Sequence, residues 1–217
     1  MTRSRNTTPR THETTTRNET LSFSWYRVLV VSRFRVFAFS CLRVFVPAAV
    51  CVFGSTGWIA AQAAGPVIVV ETTKGTLEIE TYPDDAPKTV AHIVDLVTRG
   101  FYDGQRVHRV QPAFVVQWGD PRSRDLSSEA EWGRGDAASS GHPIGVAEMT
   151  KKRTHTRGAV AVAHQGNPAR ADSQLYVTLV DRPELDSRYA VFGHVIAGGD
   201  VPARLERGDV IVRMYVR

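Results

Sequence analysis

The chain has almost no cysteine: among its 217 residues only Cys41 and Cys51 carry a thiol. Everything beyond them lacks both an internal disulfide and a thiol nucleophile, which leaves any redox compartment open. The glycines fit neither a phosphate-binding loop nor a dinucleotide fingerprint, and Ser173, in "DSQLY", has no G-x-S-x-G elbow around it. His155 and His164 have no short metal-ligand spacing about them and read as satisfied surface histidines, not zinc ligands. Hydrolysis, metals and nucleotide cofactors are disfavoured, and no cofactor is expected.

A basic domain is missing as well. The formal charge is +5, but residues 1–64 hold eight Lys/Arg against two Asp/Glu, leaving nineteen against twenty in residues 65–217. The basicity belongs to the leader, so the remainder has no global electrostatic reason to seek nucleic acid. Lys151, Lys152 and Arg153 read as a solvated loop.

What is present begins with that leader. Residues 1–20 are too polar to pack, arginines then alternate with apolar residues from Arg27 to Arg43, and Val44 to Ala64 carries no charge. A basic flank, an apolar stretch and "AQA" at Ala61 to Ala63 are the parts of a secretory signal peptide, which predicts a periplasmic or secreted protein. The alternative is an uncleaved membrane anchor over residues 44–64, weakened by Pro47, Gly54, Gly57 and Gln62. The polar n-region is longer than such signals use, which fits a true start near residue 30.

Residues 65–217 read as one domain. "VIVVETTKGTLEIETY" predicts a hairpin turning at Lys74-Gly75. "DAPKTVAHIVDLVTRGFYDG" predicts a helix capped by Asp85, with Pro87 in its first turn, Val90, Ile93, Val94 and Val97 on one face, and Gly100 closing it. Pro121 to His142 has no periodicity and reads as a long loop. Short strands follow at Gly158 to Ala163, Gln174 to Leu179, Ala190 to Ile196 and Asp209 to Val216, with a helical turn in "GGDVPARLERG". This pattern predicts a mostly antiparallel closed sheet.

The segment "VHRVQPAFVVQWGD", Val107 to Asp120, places Arg109 and Gln117 inside two apparently core-facing strands. A buried guanidinium must be hydrogen-bonded or face a cleft. A structural arginine paired with Asp120 or another carboxylate is the plain alternative.

This segment resembles the signature F-H-R-V-I-P-x-F-M-x-Q-G-G-D of the cyclophilin family of peptidyl-prolyl isomerases, in its bacterial, exported branch. "GAVAVA", "ADSQLYVTL" and "ELDSRYAVFGHVIAGGDV" resemble further family segments in the same order, so the likeness runs from Val67 to Arg217. It implies a closed eight-stranded antiparallel β-barrel capped by two helices. It implies Arg109, Phe114 and Gln117 as catalytic residues, with Val115, Ala163, His164, Gln174, Tyr176, Leu185 and Tyr189 contacting the substrate. Val115 stands where methionine is usual and Tyr176 where phenylalanine is more common. Glu184 takes the place of a tryptophan and Tyr189 that of a pocket histidine, which weakens the match for macrocyclic inhibitors more than for catalysis.

The resemblance implies proline-containing polypeptide clients, no nucleic acid, a monomer, and no stable membrane insertion once the leader is cleaved. Three functions compete. An isomerase serving exported clients leads. A proline-segment binding or chaperone module with little turnover is motivated by Glu184 and Tyr189. A bare scaffold gives no reason to keep Arg109, Phe114 and Gln117 together.

Overall fold

The computed structural model describes residues 65–134 and 139–217. The leader, signal peptide and alternative anchor expected within residues 1–64 lie outside the described residues.

The expected hairpin is β1 (Val67–Thr72) and β2 (Gly75–Thr81), and its alternation holds, with Leu77, Ile79 and Thr81 facing inward. The helix is α1 (Pro87–Thr98), burying Val90, Ile93, Leu96 and Val97. Gly100 closes it at φ +66. Its N–H donates to the Val97 carbonyl at 3.0 Å, and that of Phe101 to the Leu96 carbonyl at 2.9 Å. This is a Schellman ending, and the left-handed residue it requires is why glycine stands there.

The start of α1 corrects the sequence reading. Asp85 is not the cap: the N-cap position is Ala86, which supplies no side-chain bond. Glu148, far along the chain, accepts the Lys88 N–H at 3.1 Å and the Thr89 N–H at 2.8 Å. Its charge also faces the positive end of the helix dipole. Asp85 instead binds Arg153 at 2.7 Å, and Arg153 lies 3.5 Å from the centre of the Tyr82 ring, so this part of the basic triplet is docked, not solvated. Glu148→Ala should lower stability by about 1 kcal/mol and Tm by roughly 2–4 °C, read from thermal unfolding.

The remaining strands are β3 (Arg109–Gln111), β4 (Val115–Trp118), β5 (Ala159–Val162), β6 (Leu175–Thr178), β7 (Val191–Ala197) and β8 (Ile211–Val216), with a short α2 (Val201–Arg204) before the last. They form one eight-stranded sheet in the order β3-β4-β6-β5-β7-β2-β1-β8. Every strand pair in it is antiparallel.

The closed barrel is overturned. β3 and β8 are the two ends of an open, strongly curled half-barrel capped by helices. β3 is only three residues long, because Pro112 follows it and cannot donate to a ladder. Among the described residues one isolated bridge, Arg106 to Val210, spans the gap, within a loop whose backbone bonds at Gly104 and Val107 meet Ile211 and Asp209. A carboxylate blunts the β8 edge: Asp103 accepts the Met214 N–H at 3.0 Å.

The segment from Pro121 to His142 also differs from the structureless loop expected of it. It opens with two 3-10 turns, Pro121–Arg124 and Leu126–Glu131, in which the Arg122 and Ser127 N–H groups donate to the Asp120 and Asp125 side chains. Short side-chain acceptors at those positions set turns that no hydrophobic period announces.

The main core gathers α1 residues against Ile68, Leu77, Trp118, Phe192, Ile211 and Met214. β4, β5 and β6 are buried on both faces. On their second face Val115, Ala159, Ala161 and Tyr176 join Leu185 and Val191 in a smaller cluster, against which Phe114 and Tyr189 pack. That cluster is the floor of the site.

Candidate active site

All ten residues singled out from the sequence line a single cavity of about 270 Å³. Arg109 and Gln117 are cross-strand partners in the β3–β4 pair. The Arg109 guanidinium donates to Gln117 Oε1 at 3.3 Å and to Gln111, and Gln117 Nε2 donates onward to Gln174 Oε1 at 2.9 Å. Among the described residues both hydrogen-bond partners of the arginine are neutral carboxamides, so no bonded carboxylate offsets its charge. Arg109 is hydrogen-bonded and faces the cavity, as a guanidinium in this segment must, although it is exposed at the mouth instead of buried. Asp120 does not pair with it: the buried carboxylate takes Arg122 at 2.9 Å and the Gly133 N–H at 2.8 Å.

Phe114 follows a tight turn in which its N–H donates to the Gln111 carbonyl at 3.0 Å. Pro112 and Ala113 are the central pair, and Ala113 sits at φ +54, a conformation that glycine usually supplies in such a turn. Arg182 holds the strained turn from outside. It donates to the Ala113 carbonyl and stands 4.9 Å from the Phe114 ring centre, while Arg109 stands 5.7 Å from it. Two guanidinium groups thus lie within cation–π reach of the ring.

Val115 lies on β4, Tyr176 on β6, and Leu185 in the 3-10 turn Pro183–Leu185. Ala163 follows β5 and donates its N–H to the Gln174 carbonyl at 2.8 Å. The His164 ring bonds through Nε2 to the Arg188 carbonyl at 2.8 Å and stacks on Tyr189, with centroids 4.5 Å apart. Tyr189 therefore acts as a wall, while the Glu184 side chain turns out to solvent beside Arg182.

Gly119, which ends β4, lies at φ +109, and a Cβ there would meet the Ser173 carbonyl oxygen at 2.2 Å. Only glycine permits that approach. Ser173 is structural, its hydroxyl donating to the Gly119 carbonyl at 2.8 Å.

Several residues of the site escaped the sequence reading. Asp172 lines the cavity, almost fully buried, and binds His92 at 2.9 Å and the Ser140 N–H at 2.7 Å. Arg182 carried no signal in the sequence. His155, read as a surface residue, is 1% exposed. It bonds Asp186 and Tyr176 from behind the cavity. No metal-holding cluster of His, Cys, Asp or Glu occurs among the described residues.

His108, beside the arginine, is buried, and neither ring nitrogen has a partner among the described residues. Burial holds its imidazole down to about 4, aided by nearby arginines and opposed by Asp120. The unfolded chain therefore binds the proton first as pH falls below about 6.5, and the penalty saturates below the folded value. Stability should drop by ~2 kcal/mol between pH 7 and pH 5 from this group alone. Thermal melts at the two pH values check it, and His108→Leu should show a smaller drop.

The fold and this arrangement match known proteins. A family model described as cyclophilin type peptidyl-prolyl cis-trans isomerase/CLD matches residues 67–214. The chain belongs to this family. It is a peptidyl-prolyl cis-trans isomerase, with general activity on proline-containing chains. Over 173 residues it is 34% identical to a probable peptidyl-prolyl cis-trans isomerase of Brucella abortus, covering 78% of this chain and 88% of the relative. Over 144 residues it is 33% identical to a peptidyl-prolyl cis-trans isomerase of Helicobacter pylori, covering 65% and 81%. Among solved structures, a cyclophilin type isomerase of Cryptosporidium parvum shares the fold at a TM-score of 0.60 and 20% identity, covering 70% of this chain and 97% of that one.

Proposed function

We propose that this cyclophilin accelerates rotation of X-Pro bonds in exported client proteins, with Arg109, Phe114 and Gln117 as its catalytic residues. Val115, Ala163, His164, Gln174, Tyr176, Leu185 and Tyr189 hold the client. Amide rotation faces a barrier of ~18–20 kcal/mol because the nitrogen shares its lone pair with the carbonyl. X-Pro is the practical target, since cis costs only ~0.5–1 kcal/mol there and uncatalysed exchange takes tens of seconds or more.

Rotation needs no nucleophile, proton removal or metal. It needs the proline ring gripped in an apolar recess while the preceding carbonyl swings. At the twisted state the nitrogen turns pyramidal and regains its lone pair, so a guanidinium placed over it stabilises that state selectively. The observation that carries this reading is the Arg109 guanidinium at the rim of an apolar recess, tethered by Gln117 and close to the Phe114 ring. Gln117 and Gln174 supply further polar atoms along one side, fit for a client's backbone.

Export rests on the basic flank, the apolar stretch and Ala61 to Ala63 of the leader. Among the described residues no helix is long and apolar enough to cross a membrane. Mass spectrometry of the protein from its native cell should show an N-terminus at or next to Ala64. An intact Met1 form in the cytosol would overturn export. Catalysed exchange of an X-Pro peptide, followed by NMR, tests the catalytic part: peptide binding without turnover would defeat it.

A further inference from the structure

Tyr176 brings a phenol to the floor of a recess that grips an apolar ring. The hydroxyl is buried, and an unpartnered buried hydroxyl is costly, so its partner decides where the ring sits. That partner is His155, whose Nε2 lies 3.0 Å from the phenol oxygen. On its other side the same imidazole meets Asp186 through Nδ1 at 2.8 Å. A carboxylate only accepts, so Nδ1 carries a proton and donates it, and in the neutral ring this leaves Nε2 as acceptor for the Tyr176 O–H.

The backbone of His155 is tied to the same neighbourhood. Its N–H donates to Asp186 Oδ1 at 2.8 Å, and its carbonyl accepts the Arg182 N–H at 2.7 Å. Asp186 caps the turn that carries Leu185, so one residue links the Tyr176 wall to the Leu185 rim. Tyr189 stands edge-on to both rings, with centroids 6.5 Å from His155 and 5.8 Å from Tyr176. Any shift of the phenol would therefore move two walls of the recess.

We propose that His155, oriented by Asp186, is a positioning residue for proline binding: it accepts the Tyr176 phenol proton and so sets the ring at the floor of the recess. This rests on the reading of that recess as the proline pocket. The imidazole makes no contact with the reacting amide. Its effect falls on the grip on proline, in ground and transition states alike, and so on KM with little change in kcat.

The test is a two-by-two set of full-length variants assayed for catalysed exchange of an X-Pro peptide. His155→Leu strands the phenol and should raise KM about tenfold with kcat within about twofold. Added to Tyr176→Phe, which has no hydroxyl to place, the same substitution should move KM by less than about twofold, because the interaction it removes is already gone. A tenfold rise in both backgrounds would show that His155 merely supports the turn through Asp186, and would overturn the proposal. So would no rise in either background.

If His155→Leu does not fold, nitrogen-15 NMR of the wild-type imidazole decides. A proton on Nδ1, with an Nε2 signal that shifts in Tyr176→Phe, upholds the proposal. A proton on Nε2, or no response to Tyr176→Phe, overturns it. Phe114→Ala separates the underlying reading: an unchanged KM there means the recess does not bind proline, whatever His155 does.

Discussion

Replacing Arg109 by alanine should lower kcat/KM by about a hundred- to a thousandfold, or ~3–4 kcal/mol of transition-state stabilisation. The fold should survive. Arg109 is exposed at the mouth of the cavity and, among the described residues, its side chain bonds to carboxamides, so its removal opens no core cavity and strands no buried charge. Arg109→Lys should also be impaired. The guanidinium can bond Gln117 with one nitrogen and keep its plane toward the substrate, whereas an ammonium on a flexible stem is a mobile point charge. NMR exchange or a coupled assay gives the rate, and circular dichroism confirms that each variant is folded. Wild-type-like turnover in folded Arg109→Ala would sink the mechanism.

The largest effect on stability is expected from Trp118→Ala. The indole is fully buried in the main core at the end of β4, between Gln117 of the site and Gly119. Truncating a buried aromatic of this size should cost about 3–5 kcal/mol, through lost burial and the cavity left behind. For a domain of this length that is a fall in Tm of roughly 6–20 °C. Trp118→Phe should lose less, because it keeps a ring and drops an indole N–H that has no partner among the described residues. Both are checked by thermal and urea unfolding. Equal losses for the two variants would mean that the ring is not what fills this part of the core.

The strands were legible because their signals are local. The period of two over "TLEIE" and the β-branched runs in β1 and β8 survive any tertiary arrangement, and each observed strand lies within or near its expected span. The ten site residues were named through resemblance, and physics alone reached only Arg109 and Gln117. What failed was information held between distant segments. Whether β3 meets β8 depends on how sharply eight strands curl, which no single strand encodes. Asp85 occupies a good capping position, yet Glu148 took the helix end and Arg153 took Asp85. His155 looked like a surface histidine because nothing near it in the chain announces Asp186 or Tyr176.

The outer flank of β1 carries a consequence for biosynthesis. β1 pairs on one side with β2, its sequence neighbour, and on the other with β8, which lies nearly the whole domain away. A chain emerging from the ribosome can form the hairpin early, but β1 keeps one row of backbone donors and acceptors bare until residues 211–216 appear. Pairings of such long reach also slow folding. Loss of those six residues, by proteolysis or premature termination, would leave β1 as the sheet's new margin without the Asp103 carboxylate that guards the old one. Such a stump is sticky in the way that chaperones and proteases recognise, so this strand makes completeness of the domain readable to quality control.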